Sequence, residues 1–124
     1  MVGGFRPGTN GFDALLVGYC EGRHLKFAGK VRAGFVPHVR RDISAKLKPL
    51  HTERCPFVNL PDAKRSRWGA GVTAEDMREM QWVTPRFVVQ VRFVEWTADG
   101  RLRHARFVVV RGDKRASEVR RESK

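Results

Sequence analysis

The chain has 124 residues, 41% of them hydrophobic, enough to bury one core without metal or disulfide staples, and it is read as a single domain over 1–124. No apolar run approaches the roughly 18 residues of a membrane span, and the first residues lack a signal-peptide core, so a soluble intracellular protein is expected. Charge is the unusual quantity: 25 Lys and Arg against 13 Asp and Glu give a net +12, and a domain this basic attracts polyanions, of which nucleic acid is the commonest inside cells.

Gly3 to Gly11 is rich in turn formers and reads as a loop entering the domain. The apolar run from Phe12 to Tyr19 is short enough for a buried strand, and Cys20-Glu21-Gly22-Arg23 connects it to a second. There Leu25, Phe27, Gly29 and Val31 alternate with His24, Lys26, Lys30 and Arg32. This period of two predicts a half-buried strand whose outer face is positive. The two strands make a hairpin.

Pro37 suits the first turn of a helix, where its missing N–H costs nothing. Val39, Ile43, Leu47 and Leu50 then form one apolar stripe, with Arg40, Arg41, Lys46 and Lys48 off it, and Pro49 marks the helix end. From His51 to Gln81 the pattern weakens into a long surface connection containing Trp68 among basic residues. A short helix after Thr73 is expected, with Thr73 as its cap. Cys20 and Cys55 are 35 positions apart and form no Cys-x-x-Cys pair, so both are read as reduced, partly buried thiols, and no metal site is assigned.

Arg86 to Trp96 is the strongest strand. Phe87, Val89, Val91 and Phe93 fall on one side and Arg86, Val88, Gln90 and Arg92 on the other, and both phenylalanines are expected in the core. Thr97-Ala98-Asp99-Gly100 is a turn, and a partner strand runs from Leu102 to about Val110. Residues 115–124 are a charged tail, with a short helix from Ala116 to Arg121. His104, between two arginines, has no acid or base partner in the sequence. The tally gives a small all-β barrel with one helix. One of its strands is missing, to be found in the curled first run, in Ala33 to Val36, or around Gln81-Trp82.

Read together, Val2-Gly3-Gly4-Phe5-x-Pro7-Gly8, Phe12-x-Ala14-Leu15-Leu16-Val17-Gly18, Phe27-Ala28-Gly29-Lys30-Val31, Cys55-Pro56-Phe57, Trp82-x-x-Pro85 and Arg111-x-Asp113-Lys114 resemble, in order and over nearly the whole chain, the C-terminal domain of ATP-dependent DNA ligases. The nearest likeness is to the ligase portion of bacterial multifunctional end-joining enzymes. The sequence departs from that pattern at Gln90, where a glutamate is common, and at Ala105, where a proline usually follows the histidine.

The resemblance implies a mainly β OB-fold, a five-stranded Greek-key barrel with one main α-helix, which as a class binds nucleic acid on one face. It implies that Arg111, Asp113 and Lys114 complete the pocket in which ATP adenylates a lysine. ATP and Mg2+ are then held mainly by a separate adenylation domain, present in cis or in trans. The family's nucleophile lies in a Lys-x-Asp-Gly motif that this sequence lacks, so the chain alone is expected to be inactive. The resemblance further implies nicked duplex DNA as partner, no membrane, and a bacterial cytoplasmic, nucleoid-associated location. Lys26, Lys30, Arg32, Arg40 and Arg41, with Arg101 and Arg103 near the last hairpin, are the expected phosphate contacts. The rival readings are a stand-alone OB module that binds single strands by stacking, with Trp82, Trp96, Phe87 and Phe93 as candidates, and a docking protein that only contacts a partner domain.

Overall fold

The structure is a computed structural model that describes residues 1–8, 11–60, 72–98, 100–112, 115 and 118–120. Asp113, Lys114, Trp68 and half of the expected tail helix (116, 117 and 121) lie outside the described residues.

The missing strand is the stretch expected to be an entry loop. β1 (Val2–Gly8) pairs antiparallel with β2 (Gly11–Glu21) on one side and with β5 (Gln81–Phe87) on the other. Glycines that read as turn formers are here a requirement of close packing. A Cβ on Gly4 would meet Gln81 O of β5 at 2.8 Å, and one on Gly3 would meet Cε2 of Phe57 at 2.7 Å. β2 pairs in turn with β3 (His24–Val31). The fourth barrel strand is β5 continued by β6 (Val89–Arg92), and the fifth is β9 (Arg106–Val110), antiparallel to β6. A parallel bridge between Ala33 and Arg106, with Phe107 N donating to Ala33 O at 2.9 Å, joins the fifth strand back to the third. This is the OB order, and α1 (Pro37–Leu47) lies between its third and fourth strands.

α1 begins at Pro37 with extended Val36 as its cap, and it passes into a 3-10 turn over Lys48–Leu50, so Pro49 ends the α-helix as expected. Ile43 and Leu47 close the barrel interior with Val2, Phe12, Leu15, Val17, Val31, Val83 and Phe107. Each such fully buried side chain contributes roughly 1.5–3 kcal/mol.

A second cluster packs on the other face of β2, and the long connection supplies much of it: Leu16, Leu25, Phe27 and Trp82 meet Phe57, Val72 and Met80. His51–Thr52 forms a short strand (β4) on the edge of β5, and α2 (Ala74–Met77) starts from a capping box between Thr73 and Asp76. Among the described residues the connection is therefore an outer layer of the core rather than a plain surface loop.

Two expected strands are broken. Arg86 to Trp96 divides into the end of β5, β6, and β7 (Glu95–Trp96). Val88, placed on the polar side by alternation, is 5% exposed and belongs to the second cluster. Alternation fails there because the strand passes from β1 to β9 and has apolar cover on both faces. Leu102 to Val110 divides into β8 (Leu102–Arg103), paired with β7, and β9. The break is at His104, which adopts a left-handed φ of 56°. Phe87 packs against the barrel core as expected. Phe93 instead meets Trp96 at the rim of a cavity.

Candidate functional site

Arg111 follows β9 directly. Its backbone N–H donates to Val88 O at 2.9 Å, extending the β6–β9 pairing by one step, and its guanidinium Nη1 donates to Oε1 of Gln90 at 3.3 Å. The side chain is half-buried and lines a cavity of about 110 Å³ walled by Val17, Tyr19, Val89, Val91, Phe93 and Trp96. Trp96 meets Tyr19 and Phe93 edge-on, with ring centroids 5.6 and 5.5 Å apart. This bond to the neutral Gln90 helps to orient the guanidinium. A planar donor fork held against apolar walls is suited to phosphate oxygens, where a charge-assisted hydrogen bond is about twice as strong as a neutral one. In the sequence Gln90 is only a departure from the family pattern, because its place beside Arg111 is set by strand register: Gln90 pairs with Val109, two residues before Arg111.

The basic residues do not form the single face expected of them. Val17 pairs with Gly29 and Gly18 with Phe27, which leaves Ala28 as an extra residue, a β-bulge on β3. A one-residue bulge reverses the alternation beyond it. Lys26 sits opposite Tyr19, whereas Lys30 sits opposite Leu16 of the second cluster, so the two lysines lie on opposite faces of the β2–β3 pair. Arg32 and Arg41 are exposed. Arg40 is half-buried, its guanidinium 5.0 and 5.2 Å from the rings of Phe12 and Phe35 and donating to Phe12 O. Arg103 is ion-paired with Glu95 across β7 and β8.

Arg101 is a correction. Expected as a phosphate contact, it is 6% exposed, its Nη1 donating to Phe27 O at 3.2 Å and its guanidinium lying 5.0 Å from the Phe27 ring. Asn59 shares that carbonyl and takes the N–H of the same residue: Phe27 N donates to Asn59 Oδ1 at 2.7 Å, and Asn59 Nδ2 donates to Phe27 O at 3.3 Å. Both residues serve the backbone beside the bulge, a demand that no spacing in the sequence reveals.

Cys20 and Cys55 are partly buried, as expected, and burial pushes the Cys55 thiol above its ordinary pKa. Among the described residues no group of three or more His, Cys, Asp or Glu is placed to hold a metal, and no helix is long and apolar enough to cross a membrane. Among the described residues, the donors around Arg111 suit phosphate and do not suit Mg2+.

A Greek-key barrel of this order, ending in an arginine beside a cavity, belongs to the OB class of domains. Residues 8–114 match the family model described as the ATP dependent DNA ligase C terminal region, and the chain belongs to that family. It is 36% identical over 127 residues to the multifunctional non-homologous end joining DNA repair protein LigD of Mycobacterium tuberculosis, covering 98% of this chain and 15% of that protein. It is 32% identical over 109 residues to LigD of Pseudomonas aeruginosa, covering 86% and 12%. Among solved structures, the ligase domain of M. tuberculosis LigD superposes with a TM-score of 0.81 at 35% identity, covering 98% of this chain and 37% of that one. A mycobacterial DNA ligase D complexed with ATP and MES gives 0.78 at 37%, covering 98% and 36%. The chain thus spans a small part of these relatives' length.

Proposed function

We propose that this domain acts twice in an end-joining ligase of the bacterial cytoplasm, first on ATP and then on nicked duplex DNA. The observation that carries the first role is the half-buried, oriented guanidinium of Arg111 at the end of β9. When a lysine attacks the α-phosphate of ATP, negative charge builds on the departing pyrophosphate. Cations aimed at the β and γ phosphates stabilise that charge and keep the leaving group in line. Arg111 and Lys114 supply those cations when the domain closes on its adenylation domain, and Asp113 orients one of them. ATP and Mg2+ are held mainly by the adenylation domain. In the second role, exposed cations such as Arg32 and Arg41 contact phosphates of the duplex without reading sequence.

The test is a split between steps. In a ligase carrying this domain behind its adenylation domain, Arg111→Ala or Lys114→Ala lowers self-adenylation by about 3 kcal/mol of barrier, on the order of a hundredfold. Sealing of a nick already carrying the 5′-adenylate is largely spared, because pyrophosphate is absent from that step. Equal loss in both assays refutes the leaving-group role. The 124-residue chain alone, incubated with labelled ATP and a divalent metal, forms no amine-linked adenylate. The half-exposed Phe93 and Trp96 favour one second reading, single-strand binding by stacking. Poly-dT binding far tighter than duplex binding would establish it.

A further inference from the structure

The family match ends at residue 114, yet the chain beyond it returns to the barrel. β2 extends past the start of β1, where Gly18 N donates to Met1 O at 2.9 Å. Two residues further along the same strand, Cys20 N donates to Val119 O at 2.8 Å, so the tail takes the next ladder position on that edge. The Val119 side chain packs against the second cluster and lines the same cavity as Arg111. Before it, Glu118 N donates to Arg115 O at 2.9 Å and Arg115 N to Glu118 Oε1 at 3.2 Å.

We propose that the tail is a second anchor for the terminal motif, with Val119 as its positioning residue. Residues 112–118, and with them Asp113 and Lys114, lie in the chain between two attachments to the barrel: Arg111 N on Val88 O and Val119 O on Cys20 N. A segment held at one end only behaves as a terminus and samples many conformations. Attachment at both ends lowers the entropy cost of ordering a segment of this length, and pre-organisation of this kind raises the fraction of encounters in reactive geometry. The anchor rests on the leaving-group role proposed for Arg111.

Two measurements test it. In this chain, Val119→Asp speeds amide hydrogen exchange at Cys20 and Arg111 while leaving the core amide of Leu16 protected, and Val119→Ile leaves all three as they are. In a ligase carrying the domain, Val119→Asp lowers self-adenylation roughly ten- to a hundredfold, the range for a motif displaced by about an ångström. Sealing of a pre-adenylated nick is unchanged, a split that general loss of structure does not produce. A chain stopped after Arg115 introduces no buried charge and repeats the test should Val119→Asp unfold. Unchanged exchange at Cys20, or faster exchange with undiminished self-adenylation, overturns the anchor and leaves the Arg111 reading standing. Normal self-adenylation by Arg111→Ala overturns both.

Discussion

The ring of Phe57, from the connection after α1, lies over Gly18 of β2 so closely that a Cβ at Gly18 would stand 2.7 Å from Phe57 Cε1 and would also strike the carbonyl oxygen of Lys26. The strand backbone cannot yield to relieve the second clash, so overpacking acts in full. Gly18→Ala destabilises the fold by about 2–3 kcal/mol in equilibrium denaturation. Gly22→Ala meets nothing within 4 Å and costs only the strain of its φ of 62°, about 1 kcal/mol. Equal losses at the two sites would show that the Phe57 layer is not packed as described.

Because the bulge at Ala28 turns Lys26 and Lys30 to opposite faces, one duplex surface cannot engage both equally. Lys26→Glu and Lys30→Glu therefore differ in their effect on duplex binding. The one that faces DNA lowers the slope of log K against log salt by roughly 0.9 for each phosphate no longer neutralised, and the other leaves it unchanged. Arg101→Ala spares the slope but costs about 2–3 kcal/mol of stability, since it removes a buried charged donor and its stem. Equal slopes for both lysine variants, or a changed slope for Arg101→Ala, would contradict this arrangement.

Burial holds the Cys55 thiol protonated above the usual pH, so in the folded chain it binds its proton more tightly than in the unfolded one. This contribution to stability is fully present below the ordinary thiol pKa and is lost as pH rises through the raised one. Stability of the chain falls over that alkaline window, and Cys55→Ser shallows the fall. Alkylation of Cys55 followed against pH has its midpoint above that of a free cysteine. A midpoint at or below the ordinary value would show that the thiol is not buried as described.

Local patterns announced themselves wherever a segment satisfies its own demands. Pro37 with the stripe through Ile43 and Leu47 marked α1, Thr73 and Asp76 marked the cap of α2, and the turn before Gly100 marked the last hairpin. The arginine of the terminal motif was legible as well, because its flanks follow a shared order. Its bond to Gln90 was not, since that pairing depends on the register of β6 against β9.

Composition and periodicity thus determined by themselves a basic, mainly β domain with one principal helix, and the family resemblance added an arginine-bearing motif near its end. Only the tertiary structure decided that the glycine-rich opening is a strand, because its glycines are demanded by Trp82 and Phe57 coming from far along the chain. It alone decided that Lys26 and Lys30 part company at a bulge and that Arg101 turns inward to Phe27. Each of these is a contact between residues distant in sequence. A periodicity reports only whether a face is covered, and the partner that covers it is chosen when the barrel closes.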